Sequence, residues 1–345
     1  MKSFPKTPFP SGWYRIAYSQ DLPPRKVLPL RYFGQDLVLY RADNGTPHLL
    51  DAHCPHLGAH LGHGGTVDGD NLRCPFHAWA FEPTGICSNI PYTKRIPAQA
   101  RLRSWPLYES QGLIATYYHP QGQAPSWHLP NRFPWLDDNW STASRSRRWE
   151  VHSHIQEIDE NNMDVAHMLP VHKALICDLK DYPLEIDGPV LTHRMFARVD
   201  RALVLGKRIK VSFEAEFKFY GLGFHCTYTQ TQAGLGESLT LAMLTPIDAE
   251  TVELQTIAWT KKFRFNPLAT WLVRSYMHNL YNAAVEQDYP IWEHKVHRST
   301  PLLCEGDGQI MPYRRWANQF YPKQENSNVE AEPAQAVGLP VTQSV

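Results

Sequence analysis

Two short clusters constrain this chain more than any other feature: Cys54-Pro-His56 and Cys74-Pro-Phe-His77. Each offers one thiolate and one imidazole, and each stands beside glycines and a proline, so each reads as a loop tip and not as helix. Two such loops can hold a two-iron, two-sulfide cluster, with both thiolates on one iron and both imidazoles on the other. Imidazole in place of thiolate lowers the negative charge on the cluster and lifts its potential to about −150 to +300 mV. The competing reading is a structural zinc site. Zinc ligands usually come as a Cys pair about two to four residues apart, followed by a His pair. Here each pair is mixed, and one residue separates Cys54 from His56. The spacing favours iron–sulfur.

The run CPHLGAHLGHGG followed by CPFHAWAF resembles the Rieske domain of the non-haem iron oxygenases, which commonly reads CPH-x-GA and then CP-[FY]-H-G-W-x-F. Ala78 stands where that family usually has Gly. A methyl there asks for a slight change of loop backbone and removes no ligand. With Cys54, His56, Cys74 and His77 complete as a set, His53, His60 and His63 read as surface or loop-bonded histidines; alternative ligands or proton-coupled groups are the functional reading. Trp79 and Phe81 are expected to pack over the cluster and limit its contact with water. Cys87, Cys177, Cys226 and Cys304 have no partner spacing and read as reduced thiols.

At 345 residues the chain has room for two domains. Formal net charge is zero, so no basic stripe exists to neutralise phosphates and nucleic acid is not an expected partner. The N-terminus carries neither a signal-peptide core nor an Arg-rich amphipathic pattern, and no apolar run reaches the ~20 residues that span a bilayer. A cytoplasmic location is expected. Strands are read at Gly12–Tyr18, Lys26–Tyr32, Gln35–Arg41 and His48–Asp51, with Asn44-Gly45 as a hairpin turn, and Leu107–Tyr118 closes as a hairpin about Gly112. These place an all-β cluster domain at 1–125. The Pro- and aromatic-rich stretch 119–135 reads as an ordered crossing. A second domain spans 126–322, and the polar tail 323–345 is expected to be disordered.

The second half brings another set of metal donors. Residues 160–167 read as a helix, which Pro170 ends or kinks before His172. His167 and His172 lie one step beyond i, i+4, and the proline lets His172 swing back toward the same point. Two imidazoles and one carboxylate make the facial triad of oxygen-activating Fe(II); capping or packing is the alternative for histidines at a helix end. From 190 to 262 the chain alternates like antiparallel strands, clearest at Val211–Phe219. Asn266-Pro267 then opens a long helix, running to about Gln287, with Leu268, Trp271, Leu272, Ser275 and Tyr276 on one face.

Asn161-x2-Asp164-x2-His167-x4-His172 resembles the iron motif of the same oxygenases. The resemblance implies that His167 and His172 ligate iron. It also implies that Asp164 bridges the cluster of one subunit and the iron of its neighbour in a ring, here a homotrimer. A carboxylate gripping two imidazoles fixes both tautomers and shortens the electron's path. The run from Glu286 to Lys295 resembles the segment that carries the family's carboxylate ligand at the position of Asp288; Glu286 is its rival and Glu293 follows. The implied fold is α+β: a Rieske domain, then a helix-grip catalytic domain with an apolar cavity between sheet and helix.

What this implies is a terminal monooxygenase with a 2Fe-2S cluster and Fe(II), taking O2 as co-substrate. No G-x-G-x-x-G opens a helix after a strand, so electrons from NAD(P)H must arrive through a ferredoxin or ferredoxin reductase. The runs GWYRIAYSQDL, FGQDLVLYR, SNIPY, DYPIWEHK, PLLCEGDG and RRWANQFY resemble the steroid and sterol branch, which includes ketosteroid 9α-hydroxylases and cholesterol 7-desaturases. Hydroxylation, desaturation and sterol methyl oxidation share one kind of iron site, and the sequence does not choose among them. An aromatic-acid O-demethylase or ring hydroxylase is the alternative, and calls for a basic residue in the cavity. A pure Rieske electron carrier and a lipid-binding module are the readings from other classes.

Overall fold

The computed structural model describes residues 9–172, 175–204, 207–232, 236–263 and 266–322, with the side chains of 173–177 and 199–211 left out. The tail expected to be disordered and the side chain of Cys177 lie outside the described residues.

The first half is built from three small antiparallel sheets. Its strands are β1 (Gly12–Tyr18), β2 (Val27–Tyr32), β3 (Gln35–Arg41), β4 (Pro47–Asp51), β5 (Thr66–Asp68), β6 (Asn71–Arg73), β7 (Ala80–Phe81), β8 (Cys87–Asn89), β9 (Ser104–Trp105), β10 (Leu107–Ser110) and β11 (Leu113–Tyr118). The sheets order as β1-β11-β10, β2-β3-β4-β9 and β5-β6-β7-β8. Gln111 and Gly112 both take positive φ between β10 and β11, the two-residue turn whose twist matches flanking strands. Cys54 comes three residues after the end of β4 and Cys74 directly after β6, so each ligand loop hangs from a hydrogen-bonded strand.

The second half holds β12 (Ser144–Arg145), β13 (Trp149–Val151), α1 (Ile155–Glu160), β14 (Leu175–Asp181), β15 (Glu185–Asp187), β16 (Val190–Val204), β17 (Lys207–Tyr220), β18 (Phe224–Thr231), β19 (Glu237–Pro246), β20 (Val252–Thr260), α2 (Pro267–His294) and α3 (Ile310–Ala317). Its sheet runs β12-β20-β19-β18-β17-β16-β14, with β13 on β20 and β15 on β16. The strands β16 to β20 form an antiparallel meander, and α2 lies against it. This is the expected α+β arrangement. No helix among the described residues is long and apolar enough to cross a membrane.

Two helices depart from expectation. The helix read over 160–167 ends at Glu160, passes through a 3-10 turn, and breaks at Asp164, whose backbone is extended. The cause is the Asp164 carboxylate, which accepts the Ala166 N–H at 3.0 Å and so competes with the helix ladder. At the other end, α2 opens as expected, with Asn266 Oδ1 accepting from Ala269 N at 2.9 Å, but continues through Pro290 to His294. Proline costs it one backbone bond, while the buried anchors Asp288 and Trp292 hold both sides. Leu268, Trp271 and Leu272 are exposed, not packed. The buried face is Val285, Asp288 and Trp292, while Tyr276, Met277, Leu280 and Tyr281 of the middle turns line a cavity.

The halves share one core. Tyr14, Phe33 and Trp105 pack in the same cluster as Trp149, Leu244, Tyr313 and Trp316. Glu253 of β20, 2% exposed, is met by Arg15, by Arg148 at 2.7 Å and by the Tyr32 hydroxyl at 3.0 Å. The crossing is ordered: Trp13 Nε1 donates to the Trp127 carbonyl at 2.8 Å, and Phe133 packs on Phe224. Near the end of the second half, Tyr313, Trp316, Phe320 and Tyr321 tuck back and are buried.

Candidate metal centres

The two cluster loops are the same structure twice. Cys54 N–H donates to the Ala59 carbonyl and Gly58 N–H to the Cys54 carbonyl, both at 2.9 Å. Cys74 N–H donates to the Trp79 carbonyl at 2.9 Å and Ala78 N–H to the Cys74 carbonyl at 3.1 Å. Gly58 and Ala78 occupy equivalent left-handed positions, at φ of +77° and +56°. Ala78 thus takes the left-handed conformation that glycine adopts freely, and carries its strain.

Between the loops, Cys54 and Cys74 are buried and the rings of His56 and His77 stand 4.6 Å apart. Burial, with the neighbouring Cys74 adding to it, pushes the Cys54 thiol up to about 11. The Nδ1 atoms of both histidines are buried and have no hydrogen-bond partner. Two dry thiols beside two orphaned imidazole nitrogens are what a mixed-ligand [2Fe–2S] cluster requires, so the donor set fits. Trp79 stacks on His56 at 4.7 Å and 8° and Phe81 is fully buried. His53 is held by Asp36 and the Gly58 carbonyl, and His60 Nδ1 accepts the Gly62 N–H; both are loop-bonded. Cys87 is buried and free.

The second centre assembles from elements far apart in sequence. His167 and His172 bring their Nε2 atoms to 3.2 Å. Asp288 Oδ1 lies 3.4 Å from the Nε2 of His172 and 4.0 Å from that of His167. These three groups form the cluster with metal-ligand geometry among the described residues. Asp288 Oδ1 is buried and has no hydrogen bond within standard geometry, only the two imidazoles facing it, while its Oδ2 accepts from Asn161 Nδ2 at 3.1 Å. Each imidazole is turned by its other nitrogen. His167 Nδ1 contacts the Asp164 carbonyl, and His172 Nδ1 meets Gln287 Oε1 at 2.8 Å. Donation through Nδ1 leaves both Nε2 lone pairs facing the carboxylate. The Asp288 carboxylate raises the pKa of His172 against the opposing effect of burial. The donor set fits Fe(II).

Glu286 is not part of this centre: it points outward to Arg147 at 2.6 Å. Glu293 accepts the His152 N–H at 2.6 Å. Asp164 is a third exposed, with Oδ2 3.8 Å from His167 Nδ1. The sequence reading missed Gln287, whose partner lies 115 positions away. It also missed the buried acids of α1. Glu157 pairs with Lys295 and His297, Asp159 with His225, and Glu160 with Arg314. Gly308 presses on the same motif, for a Cβ there would meet the Met163 carbonyl at 2.3 Å.

Residues 12–106 match the Rieske [2Fe-2S] domain family, and residues 116–321 match the 3-ketosteroid 9alpha-hydroxylase C-terminal domain. The chain is a Rieske non-haem iron oxygenase. It is 31% identical to a cholesterol 7-desaturase of Caenorhabditis elegans over 337 residues, 91% of this chain and 77% of that one. To the 3-ketosteroid-9-alpha-monooxygenase oxygenase component of Rhodococcus rhodochrous it is 29% identical over 322 residues, 92% of this chain and 84% of the relative. Its fold is that of dicamba monooxygenase bound to dicamba, with a TM-score of 0.69, 20% identity and coverage of 89% and 96%. As the oxygenase component of a Rieske system, it draws electrons from a reductase or ferredoxin partner.

Proposed function

We propose that this Rieske oxygenase oxidises an unactivated C–H bond of a steroid or sterol, by hydroxylation, desaturation or methyl oxidation. The observation that carries the reading is a cavity of about 630 Å³ between the sheet and α2, whose wall includes the metal triad His167, His172 and Asp288. Met195, Phe213, Phe217, Met277, Leu280 and Tyr281 line it. A rigid apolar skeleton gains about 25 cal/mol for each Å2 removed from water in such a space. The aromatic-acid alternative calls for a cation to meet its carboxylate, and no Lys or Arg is among the described lining residues. The likeness to cholesterol 7-desaturases and to a 3-ketosteroid oxygenase component supports the same class.

When bound, the cluster supplies single electrons and the Fe(II) supplies open positions for O2 beside the substrate. The residues do the rest. His167, His172 and Asp288 hold the mononuclear metal; Cys54, His56, Cys74 and His77 hold the cluster. Asn161 and Gln287 fix the orientation of Asp288 and His172. Asp164, exposed beside His167, reaches a cluster imidazole of a neighbouring copy in a homotrimeric ring. Trp79 shields one face of His56 from water.

The test is anaerobic incubation of holoenzyme with a sterol and steroid panel, then O2 with reductase and mass spectrometry. A product changed by one oxygen or by loss of two hydrogens is expected from at least one steroid. Turnover confined to methoxy-aromatic acids would overturn the reading.

A further inference from the structure

The sheet wall of the cavity carries four hydroxyls that the metal chemistry does not use. β18 and β19 run antiparallel, with Thr227 opposite Thr240 and Thr229 opposite Ser238. All four side chains line the cavity. Alternate residues of a strand share a face, so these are two successive rungs of one hairpin. A purely apolar pocket would take Val and Ala at such positions, with better packing and no polar atoms to satisfy. On the following rung, Thr231 spends its hydroxyl on the Gly236 carbonyl at 2.9 Å. Among the described residues the other four hydroxyls have no hydrogen-bond partner and are not sealed from the cavity.

Their place along the cavity follows from the register. The preceding rung holds His225, whose Nδ1 bonds Asp159 of α1 at 2.9 Å; that helix leads straight into Asn161 and the metal triad. At about 3.4 Å per residue, the Thr227–Thr240 rung lies ~7 Å and the Thr229–Ser238 rung ~14 Å beyond His225. On the opposite wall, the helix from Asp288 back to Tyr276 covers ~18 Å. The hydroxyls therefore sit at two successive levels along the sheet wall, counted from the rung that His225 ties to α1. An opposed hydroxyl pair can both donate to and accept from one ligand oxygen, so it serves an alcohol or a ketone equally. A carboxylate would ask for a charged partner.

We infer that these two rungs form a docking track for a ring oxygen, hydroxyl or ketone, at the end of the substrate remote from iron. The rung engaged sets which carbon is presented to the metal. The inference rests on the steroid reading of the site and deepens it.

The test uses holoenzyme and a pair of steroids that differ by one ring oxygen. The double variants Thr227→Val/Thr240→Val and Thr229→Val/Ser238→Ala remove hydroxyls while keeping strand-compatible shapes; Thr227→Ser and Thr229→Ser keep them as controls. Iron content and cluster absorbance report that each variant is intact. At least one double variant is expected to raise KM for the oxygen-bearing steroid about tenfold and leave the deoxy analogue within about twofold. The serine controls should behave as wild type. If both doubles keep the wild-type ratio of KM values and the wild-type product position, the track is overturned while the steroid reading stands. If wild-type enzyme turns over neither steroid, both fall together.

Discussion

Gln287 accepts His172 Nδ1–H at 2.8 Å from the residue just before the carboxylate ligand. One turn of α2 thus supplies Asp288 to the metal and aims the imidazole facing it. Without the amide, the ring of His172 is free to rotate and to present either nitrogen. Gln287→Leu should weaken mononuclear iron binding about 10–100-fold and leave the cluster spectrum unchanged. Iron content after dialysis against a chelator, read beside cluster absorbance, checks this.

The carboxylates two positions apart on α2 make a matched pair. Asp288 is 7% exposed with one oxygen orphaned toward the two imidazoles; Glu286 sits in an exposed pair with Arg147. Asp288→Asn removes the anionic ligand and should abolish turnover and mononuclear iron together. Glu286→Gln should change stability by less than about 1 kcal/mol, as expected for an exposed ion pair, with activity retained. The reverse pattern would make Glu286 the ligand.

The parts of this protein that were legible in the sequence are those whose partners are near in the chain. The cluster ligands were readable because each Cys and its His share one tight loop. The metal histidines were readable because five positions part them. The helix carrying them was not: its break at Asp164 comes from a side chain outcompeting the backbone for the Ala166 N–H, which periodicity does not register. The burial of Glu157, Asp159 and Glu160 was hidden for another reason. Three acids in one short helix read as a solvated face, and only His225, Lys295, His297 and Arg314, brought back by the fold, make that burial tolerable. The sheet, by contrast, was plain in the alternation of β17, where Phe213, Ala215, Phe217 and Phe219 turn to the cavity and core while Glu214 is exposed.

The duplicated cluster loops allow an internal comparison. Ala78 holds a left-handed conformation that Gly58 holds without strain. An L-residue there loses about 1–2 kcal/mol, and glycine gives back about 0.5–1 through the freedom of the unfolded chain. Ala78→Gly should therefore stabilise the holoprotein by about 0.5–1 kcal/mol, and Gly58→Ala should destabilise it by a similar amount. The order of thermal midpoints, variant Ala78→Gly above wild type above Gly58→Ala, is the measurement.

Asp164 tests the proposed ring. Its carboxylate is engaged locally by the Ala166 N–H and lies beside His167, yet it is not among the metal donors. Asp164→Asn preserves shape and the local acceptor, so both metals should remain. Loss of the negative charge should slow single-turnover electron transfer sharply, by at least about tenfold. Normal turnover with both metals present would remove Asp164 from the electron path.

Lys295 clamps the helix that leads into the iron motif. Its Nζ is 2.7 Å from Glu157, whose other oxygen contacts His297 Nδ1 at 2.6 Å, and Glu157 is 3% exposed. Burial alone would push the Glu157 pKa up; Lys295 and then His297 more than offset it, leaving it below the ordinary value of 4.5. A carboxylate with a depressed folded pKa gives its full stabilisation above the unfolded pKa and loses it as pH falls through the folded one. Lys295→Met removes one of two partners from a buried charge, a loss of about 2–3 kcal/mol at neutral pH, with His297 limiting the damage. As pH falls, Glu157 takes up a proton in the variant first and then, below about pH 4.5, in wild type, so the gap between them should close. Denaturant midpoints of the two proteins at pH 7 and at progressively lower pH should therefore converge. A gap that is the same at every pH would mean that Lys295 contributes through packing of its stem and not through its charge.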